Sequence, residues 1–317
     1  MIRRRALAAL VGGLTLAACR QQGTRRFAVI PKGRAHIFWQ SVHAGALAAA
    51  GETGVEIIWN GPAMETDYTG QLQIVDAMIN QRVDAIVLAP IDKTAMVSVV
   101  QRATNAGIPV VIFDSGVDTD AFVAQVATDN YAAGQAGARR MGEILAGKGK
   151  VAMVAVQPGA ASTMAREQGF EDTIAKEHPG IQIADKRYGM ADFAKSLAVA
   201  ENMLTAYPDL NGMFASNESS TVGAAQALKA RQSKVKLVGF DSSPTLIEDL
   251  KGGLIDSLVV QDPFRMGYDS VQAAVTKLNG GTPQKIQDLP PLVVTAANLN
   301  DPDVQRQLNP PLDKYLK

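Results

Sequence analysis

Cysteine is almost missing from this chain: one residue, Cys19, in 317. A single thiol excludes an internal disulfide, a cysteine-based zinc site and an iron–sulfur cluster. Histidine is nearly as scarce, and three scattered imidazoles, His36, His43 and His178, do not make a histidine-rich metal centre. An excess of either charge is lacking too, since 31 basic residues balance 31 acidic ones. Nucleic-acid binding needs a basic surface to displace counterions, so no nucleic-acid partner is expected. No apolar run beyond the first twenty residues is long enough to span a bilayer, and no segment reads as low-complexity. Aromatics make up only 5% of the chain, so the adjacent pair Phe38-Trp39 stands out. What remains is ordinary globular material, 47% hydrophobic and 20% charged. At roughly 150 residues per domain, the length implies about two domains that fold on hydrophobic burial alone.

The first residues read as an address. Arg3, Arg4 and Arg5 form a positive n-region, and Ala6 to Leu16 is a short apolar h-region. The segment Leu16-Ala17-Ala18-Cys19 resembles a bacterial lipobox, in which the cysteine is lipidated and becomes the mature N-terminus. The competing reading is an ordinary secretory signal with an incidental cysteine. The lipoprotein reading is preferred because the one cysteine falls where the motif needs it. Either reading exports the protein.

After a short polar tether, β-branched runs alternate with helical patterns. Phe27–Ile30, Glu56–Trp59, Ala85–Leu88 and Pro109–Phe113 are brief, continuous and apolar, as buried parallel strands are. Apolar residues at helical spacing separate them: Leu72, Val75 and Ile79, then Met96, Val99 and Val100. The pattern restarts with a strand at Phe122–Ala127 and runs through strands near Val151, Ile181, Met213, Leu237 and Leu258, with a last strand at Leu292–Val294. Strands separated by helices imply right-handed βαβ units and parallel sheets covered on both faces. Two successive units of similar size imply two doubly wound, Rossmann-like α/β lobes.

In such sheets a ligand sits beyond the carboxyl ends of the strands. The first strand is followed by Lys32, Arg34 and His36, then by Phe38-Trp39. Later strands end in Asp114-Ser115, in Gln157 with Ser162-Thr163 and Arg166 beyond, in Asn217-Glu218, in Asp241 and in Gln261. Carboxylate, amide and guanidinium groups match vicinal hydroxyls, and aromatic faces suit the C–H side of a sugar ring. Taken singly, each residue has a structural explanation. Asp114 and Asp241 are read equally well as turn formers, Phe38 and Trp39 as core, and Arg166 as a helix surface charge. The case rests on the agreement of all the strand ends.

Those strand ends, together with His36-Ile37-Phe38-Trp39-Gln40-Ser41, Gly107 to Asp114, Ala127 to Asn130, Arg166 to Phe170 and Val238 to Asp241, carry a resemblance. From Phe27 onward the chain resembles periplasmic substrate-binding proteins of the ribose-binding, type I class, the receptors of ABC sugar importers. The resemblance implies two lobes joined by three hinge crossings, near Thr128–Asp129, Gln261–Asp262 and Pro290–Leu292. The organisation is then 1–18 signal segment, 19–26 tether, 27–128 plus 262–290 N-terminal lobe, and 129–261 plus 291–317 C-terminal lobe. The family's stacking aromatics fall on Phe38 and Trp39, with a third at Phe193. Its hydrogen-bonding set falls on Asp114, Arg166, Asn217, Asp241 and Gln261.

Two departures bear on the ligand: His36 stands where ribose binders have asparagine, and Ser115 where they have arginine. A fixed fork of donors has become a hydroxyl, which alters pocket volume and hydroxyl pairing. A sugar or related polyol remains the expected ligand, with ribose itself in question. Lys32 and Arg34 leave room for an acidic or phosphorylated ligand. The resemblance also implies a periplasmic monomer that uses no cofactor and meets a membrane ABC permease, with Cys19 of the lipobox as its lipid anchor. An enzyme is disfavoured, because no G-x-G-x-x-G, nucleophile elbow, P-loop or metal-ligand cluster is present. The remaining alternative is a sensor of a sugar or signal furanone that feeds a chemoreceptor or histidine kinase.

Overall fold

A computed structural model describes residues 23–316. The signal segment and Cys19 lie outside them. The chain opens with β1 (Arg26–Ile30), α1 (Ile37–Thr53), β2 (Glu56–Trp59), α2 (Tyr68–Asn80) and β3 (Ala85–Leu88). It continues with α3 (Val97–Asn105), β4 (Val110–Phe113) and β5 (Ala124–Thr128). A second series follows: α4 (Asn130–Ile144), β6 (Gly149–Ala155), α5 (Ala161–Glu177), β7 (Ile181–Tyr188) and α6 (Phe193–Ala206). It runs on through β8 (Gly212–Ala215), α7 (Glu218–Ala230), β9 (Lys236–Phe240), α8 (Pro244–Lys251) and β10 (Ser257–Val260). The chain closes with α9 (Pro263–Leu278), β11 (Ile286–Leu289), β12 (Leu292–Thr295), α10 (Pro302–Leu308) and α11 (Leu312–Tyr315).

Two six-stranded sheets result, ordered β11-β5-β4-β3-β1-β2 and β12-β10-β9-β8-β6-β7. The order is the same in both once the last edge strand, lent by the chain's return, is set aside. This is the two-lobed, doubly wound architecture that the sequence leads one to expect. Each sheet reverses direction of growth beside its first strand, between β1 and β3 and between β6 and β8, and such switch points open a crevice.

Strand residues alternate between faces, and the core follows them. Phe27 and Val29 join a cluster with Val42 and Ala46 of α1 and Met266 and Val271 of α9. Ala28 and Ile30 face the other way, toward Val75 of α2 and Val99 of α3. In the second lobe Ala152 and Val154 pack with α6, α7 and α8, whereas Val151 and Met153 pack with α4 and α5. Each lobe is also tied by one very close helix pair. A Cβ on Gly45 or Gly267 would run into the backbone carbonyl of Phe264 or Val42, so α1 and α9 touch main chain to main chain. Gly134 and Gly169 play the same part between α4 and α5.

The structure differs from the sequence expectation in three places. The strand expected at Phe122–Ala127 begins at Ala124, and Phe122, just before it, lies under the Lys285 ammonium, 3.8 Å from its ring centre. The edge strand β11 was not expected, since Ile286-Gln287-Asp288-Leu289 buries only Leu289 and shows no apolar run. The third difference concerns the assignment of 291–317 to the second lobe. β12 pairs antiparallel with β10, and Val304 of α10 enters that lobe's core. α11, however, lies against α1 of the first lobe, with the Tyr315 ring 5.9 Å from Phe264. Pro310-Pro311 cannot continue α10, and there the chain passes over a fourth time.

Replacing Gly267 with Ala is expected to push α9 off α1 and to cost about 1–3 kcal/mol, read as a lower melting temperature. An unchanged melt would show that the two helices are not held by close backbone approach.

Candidate ligand-binding site

Between the switch points of the two sheets lies a small space bounded by both lobes. Its first-lobe wall comes from the segment after β1, the start of α1 and the turns after β2 and β4. Lys32, only 3% exposed, pairs with Asp114 (Nζ to Oδ2, 2.7 Å) and donates to Ser162 Oγ of the second lobe at 2.9 Å. His36 Nδ1 donates to Glu65 Oε1 at 2.9 Å, and the Trp39 indole N–H donates to the same oxygen at 2.7 Å. The Phe38 and Trp39 rings meet edge to face at 4.8 Å.

The second-lobe wall is built on α5, the start of α7 and the ends of β9 and β10. Arg166 Nε donates to Asn130 Oδ1 at 2.7 Å and one of its terminal N–H groups to the Ser216 carbonyl at 3.1 Å. Its guanidinium lies over the Phe240 ring, 4.2 Å from the centre. Asn217 caps α7 by accepting from the Ser220 N–H at 2.9 Å. Asp241 accepts from the Glu218 N–H (2.8 Å) and from Gln261 Nε2 (2.7 Å), while Gln261 Oε1 accepts from Thr128 Oγ1 at 2.8 Å.

Asp114 and Asp241 occupy matching places, each directly after the fourth strand of its lobe. Both have left-handed backbones, with φ of 58° and 65°. Aspartate tolerates that conformation better than branched residues do, and the turn aims each carboxyl into the cleft.

Of the ten expected cleft residues, eight line this space: His36, Phe38, Trp39, Asp114, Arg166, Asn217, Asp241 and Gln261. Ser115 does not; its buried hydroxyl accepts from the Ser162 N–H at 3.1 Å and so joins lobe to lobe. Phe193 stands behind the cleft, its ring edge-on to His36 at 5.1 Å, where it buttresses the imidazole. Lys32, Glu65, Ser162 and Thr163 complete the lining. Glu65 had not been anticipated. It lies in the loop after β2, which no apolar or strand-end motif marks in the sequence. Arg34 is exposed and outside the site.

Electrostatics in the cleft are set by burial against pairing. Burial opposes charge on His36, but the hydrogen bond and charge of Glu65, helped by Glu218 and Asp241, outweigh it and carry its pKa up to about 9. Glu65 is held below the usual carboxylate range: burial pushes it up, and the His36 bond, the charges of His36 and Lys32 and the Trp39 bond pull it down further. Burial pushes Glu218 up to about 7 and raises Asp241 against the opposing pull of Arg166 and Gln261. In the lining, three cationic side chains (Lys32, His36, Arg166) face three carboxyls (Glu65, Asp114, Asp241). No cation is left over for a phosphate. The arrangement offers directional donors and acceptors to a small neutral polyol.

Comparison with known proteins gives the same direction. A family model described as a periplasmic binding protein domain matches residues 27–282. The chain is 35% identical over 277 residues to the D-ribose/D-allose-binding protein of Pseudomonas aeruginosa, covering 83% of this chain and 85% of that one. It is 29% identical over 253 residues to the ribose import binding protein of Bacillus subtilis, covering 80% and 81%. Among solved structures, a carbohydrate transporter solute binding protein from Agrobacterium radiobacter, in complex with D-arabinose, superposes with a TM-score of 0.88 at 32% identity. That match covers 91% of this chain and 100% of the other. An ABC transporter solute binding protein from Agrobacterium vitis with bound D-fucose gives 0.87 at 36% identity, covering 90% and 100%.

His36 supplies a pH test. Its pKa rises on folding from 6.5 to about 9, so its stabilisation is complete below about pH 6.5 and is lost as pH rises through 9. The melting temperature is expected to fall over that window, by the equivalent of roughly 3 kcal/mol, and His36→Gln should flatten the fall. A parallel decline in the variant would assign the pH dependence elsewhere.

Proposed function

The chain belongs to the periplasmic binding protein family, and from that premise we propose that it is an extracytoplasmic receptor that captures a neutral monosaccharide or similar polyol and delivers it to an ABC importer. The observation that carries this reading is the charge-balanced, densely paired polar cleft between two matched lobes, with Phe38 and Trp39 on one wall. The relatives bind ribose, allose, arabinose or fucose by name, which supports a sugar of five or six carbons for this chain. Lys32 and Arg34 do not argue for an acidic ligand: Asp114 neutralises the first, and the second is in solvent.

Mechanically, the ligand enters between open lobes and is sandwiched as they rotate about the crossings. The first lobe contributes the aromatic edges and the Lys32–Asp114 and His36–Glu65 pairs. The second contributes Arg166, Asn217, Asp241 and Gln261. Neither half desolvates a polar ring alone, so closure is what makes the full set of bonds. The closed pair of lobes is then the form that a membrane permease would receive.

The test is a panel of D-ribose, D-allose, D-arabinose, D-fucose and polyols in thermal-shift and calorimetric titration, followed by small-angle scattering with the tightest ligand. A ligand at about 100 times its Kd should stabilise the protein by roughly 2.7 kcal/mol and reduce the radius of gyration. Asp241→Ala should weaken binding about 10- to 100-fold, because bonds to charged groups contribute roughly 1.5–3 kcal/mol. No neutral sugar bound, or no compaction on binding, would end this reading.

We also propose that Cys19 carries a lipid and holds the receptor at the membrane. Among the described residues no helix is long and apolar enough to cross one, so attachment would rest on that anchor. Cys19→Ser should move the protein from the membrane fraction to the soluble periplasm or stop its processing. Unchanged fractionation would exclude lipidation.

A further inference from the structure

Helix α1 starts without a cap of its own. His36, at its N-cap position, makes no side-chain capping bond, and the first turn holds no acidic residue. The first N–H groups of a helix have no partner within it, and each needs one from elsewhere. For α1 the partner comes from the other lobe. Ile37 N–H donates to Glu218 Oε1 at 3.4 Å and Phe38 N–H to Glu218 Oε2 at 3.2 Å. Glu218 is the first residue of α7, and its side chain is 4% exposed as a residue. When ionised, which burial opposes, its carboxyl also places negative charge at the positive end of α1.

The same residue is wired to the hinge. Its backbone N–H donates to Asp241, Asp241 accepts from Gln261, and Gln261 accepts from Thr128. Thr128 and Gln261 stand at the first two crossings between lobes. One connected path therefore runs from the start of α1, which presents His36, Phe38 and Trp39 to the cleft, to the segments about which the lobes turn. Glu218 itself does not line the ligand space.

We propose that Glu218 is a positioning residue for ligand capture, capping α1 across the cleft so that closure and alignment of the aromatic wall are one event. A cap taken from the helix's own lobe would be indifferent to closure. A cap taken from the opposite lobe forms only when the lobes meet, and it is lost on opening. The role rests on the reading of the protein as a cleft-closing sugar receptor, and it adds a residue that acts through α1 and not through the ligand.

The experiment compares the parent protein with E218A and E218Q by stopped-flow tryptophan fluorescence, using D-ribose, D-allose, D-arabinose and D-fucose as probes. Removing a helix cap should speed dissociation roughly 3- to 30-fold in E218A while leaving the association rate within about twofold, since encounter takes place with the lobes apart. E218Q retains one acceptor oxygen and should fall between. The melting temperature should fall much less without sugar than with it in either variant, because the cap exists only in the closed form. Unchanged dissociation in E218A, or an equal loss of stability with and without sugar, would overturn the proposal. If none of the four sugars binds the parent protein, the ligand-class reading fails. Glu218 is then judged by scattering of the ligand-free mature chain. E218A should raise its radius of gyration by depleting the closed population, and equal radii would overturn the proposal.

Discussion

A charge taken out of water must find its counter-charge or its donors inside the protein, and the cleft is organised by that requirement. Asp114 meets Lys32, Glu65 meets His36 and the Trp39 indole, and Asp241 meets Gln261 and the Glu218 N–H. Arg166 is held by Asn130, the Ser216 carbonyl and the face of Phe240. These pairings lie almost wholly within one lobe or at the crossings. Each half-site is therefore oriented before a ligand arrives, and binding need not freeze long side chains at its own entropic cost.

The pairing also explains the two departures from ribose binders. With Ser115 in place of an arginine, the counter-charge for Asp114 comes from Lys32, which reaches over from the segment after β1. Ser115 turns instead to the other lobe and accepts from Ser162. With His36 in place of an asparagine, a single amide is replaced by an imidazole that needs Glu65 as its partner and Phe193 as its support. One change was thus compensated within the loop set of the first lobe, and the other recruited a residue from each lobe. Both alter where donors and acceptors face the ligand while leaving the net charge of the lining balanced.

Much of this was readable in the residues. Short, continuous apolar runs marked the central strands, which are buried on both faces, and the strand-end rule led to Asp114, Arg166, Asn217, Asp241 and Gln261 because the crevice of a doubly wound sheet has a fixed location. The signal failed where structure is made by context. β11 is held by pairing to β5 with three of its four residues outside the buried core, so no hydrophobic pattern marks it. α11 is four residues long and owes its position to α1 and Phe264. Glu65 sits in a loop rich in small and polar residues, and its importance comes from His36 and Trp39, which are distant in sequence. The family resemblance implies Phe193 as a third stacking aromatic, but contact with His36 and not with the ligand space decides its part.

The balance of closure follows from what meets across the gap. Lys32 with Ser162, Ser115 with Ser162, Glu65 with Gln157 and the Lys93 N–H with the Gly159 carbonyl all join one lobe to the other directly. Net contributions of such bonds are about 0.5–1.5 kcal/mol each, because opening returns the same groups to water. Alone, they would tend to shut the molecule. Against them stands the cost of taking the charged lining, Lys32, Asp114, Arg166 and Asp241 among it, out of water when no ligand shares its bonds. A sugar removes that penalty without removing the direct bonds. It therefore favours the closed form by the difference between satisfied and unsatisfied polar lining, which is the only lever a ligand has on such an equilibrium. The rigid helix pairs at Gly45 with Gly267 and Gly134 with Gly169 confine the response to the crossings, so that difference appears as rotation of whole lobes and not as local loosening.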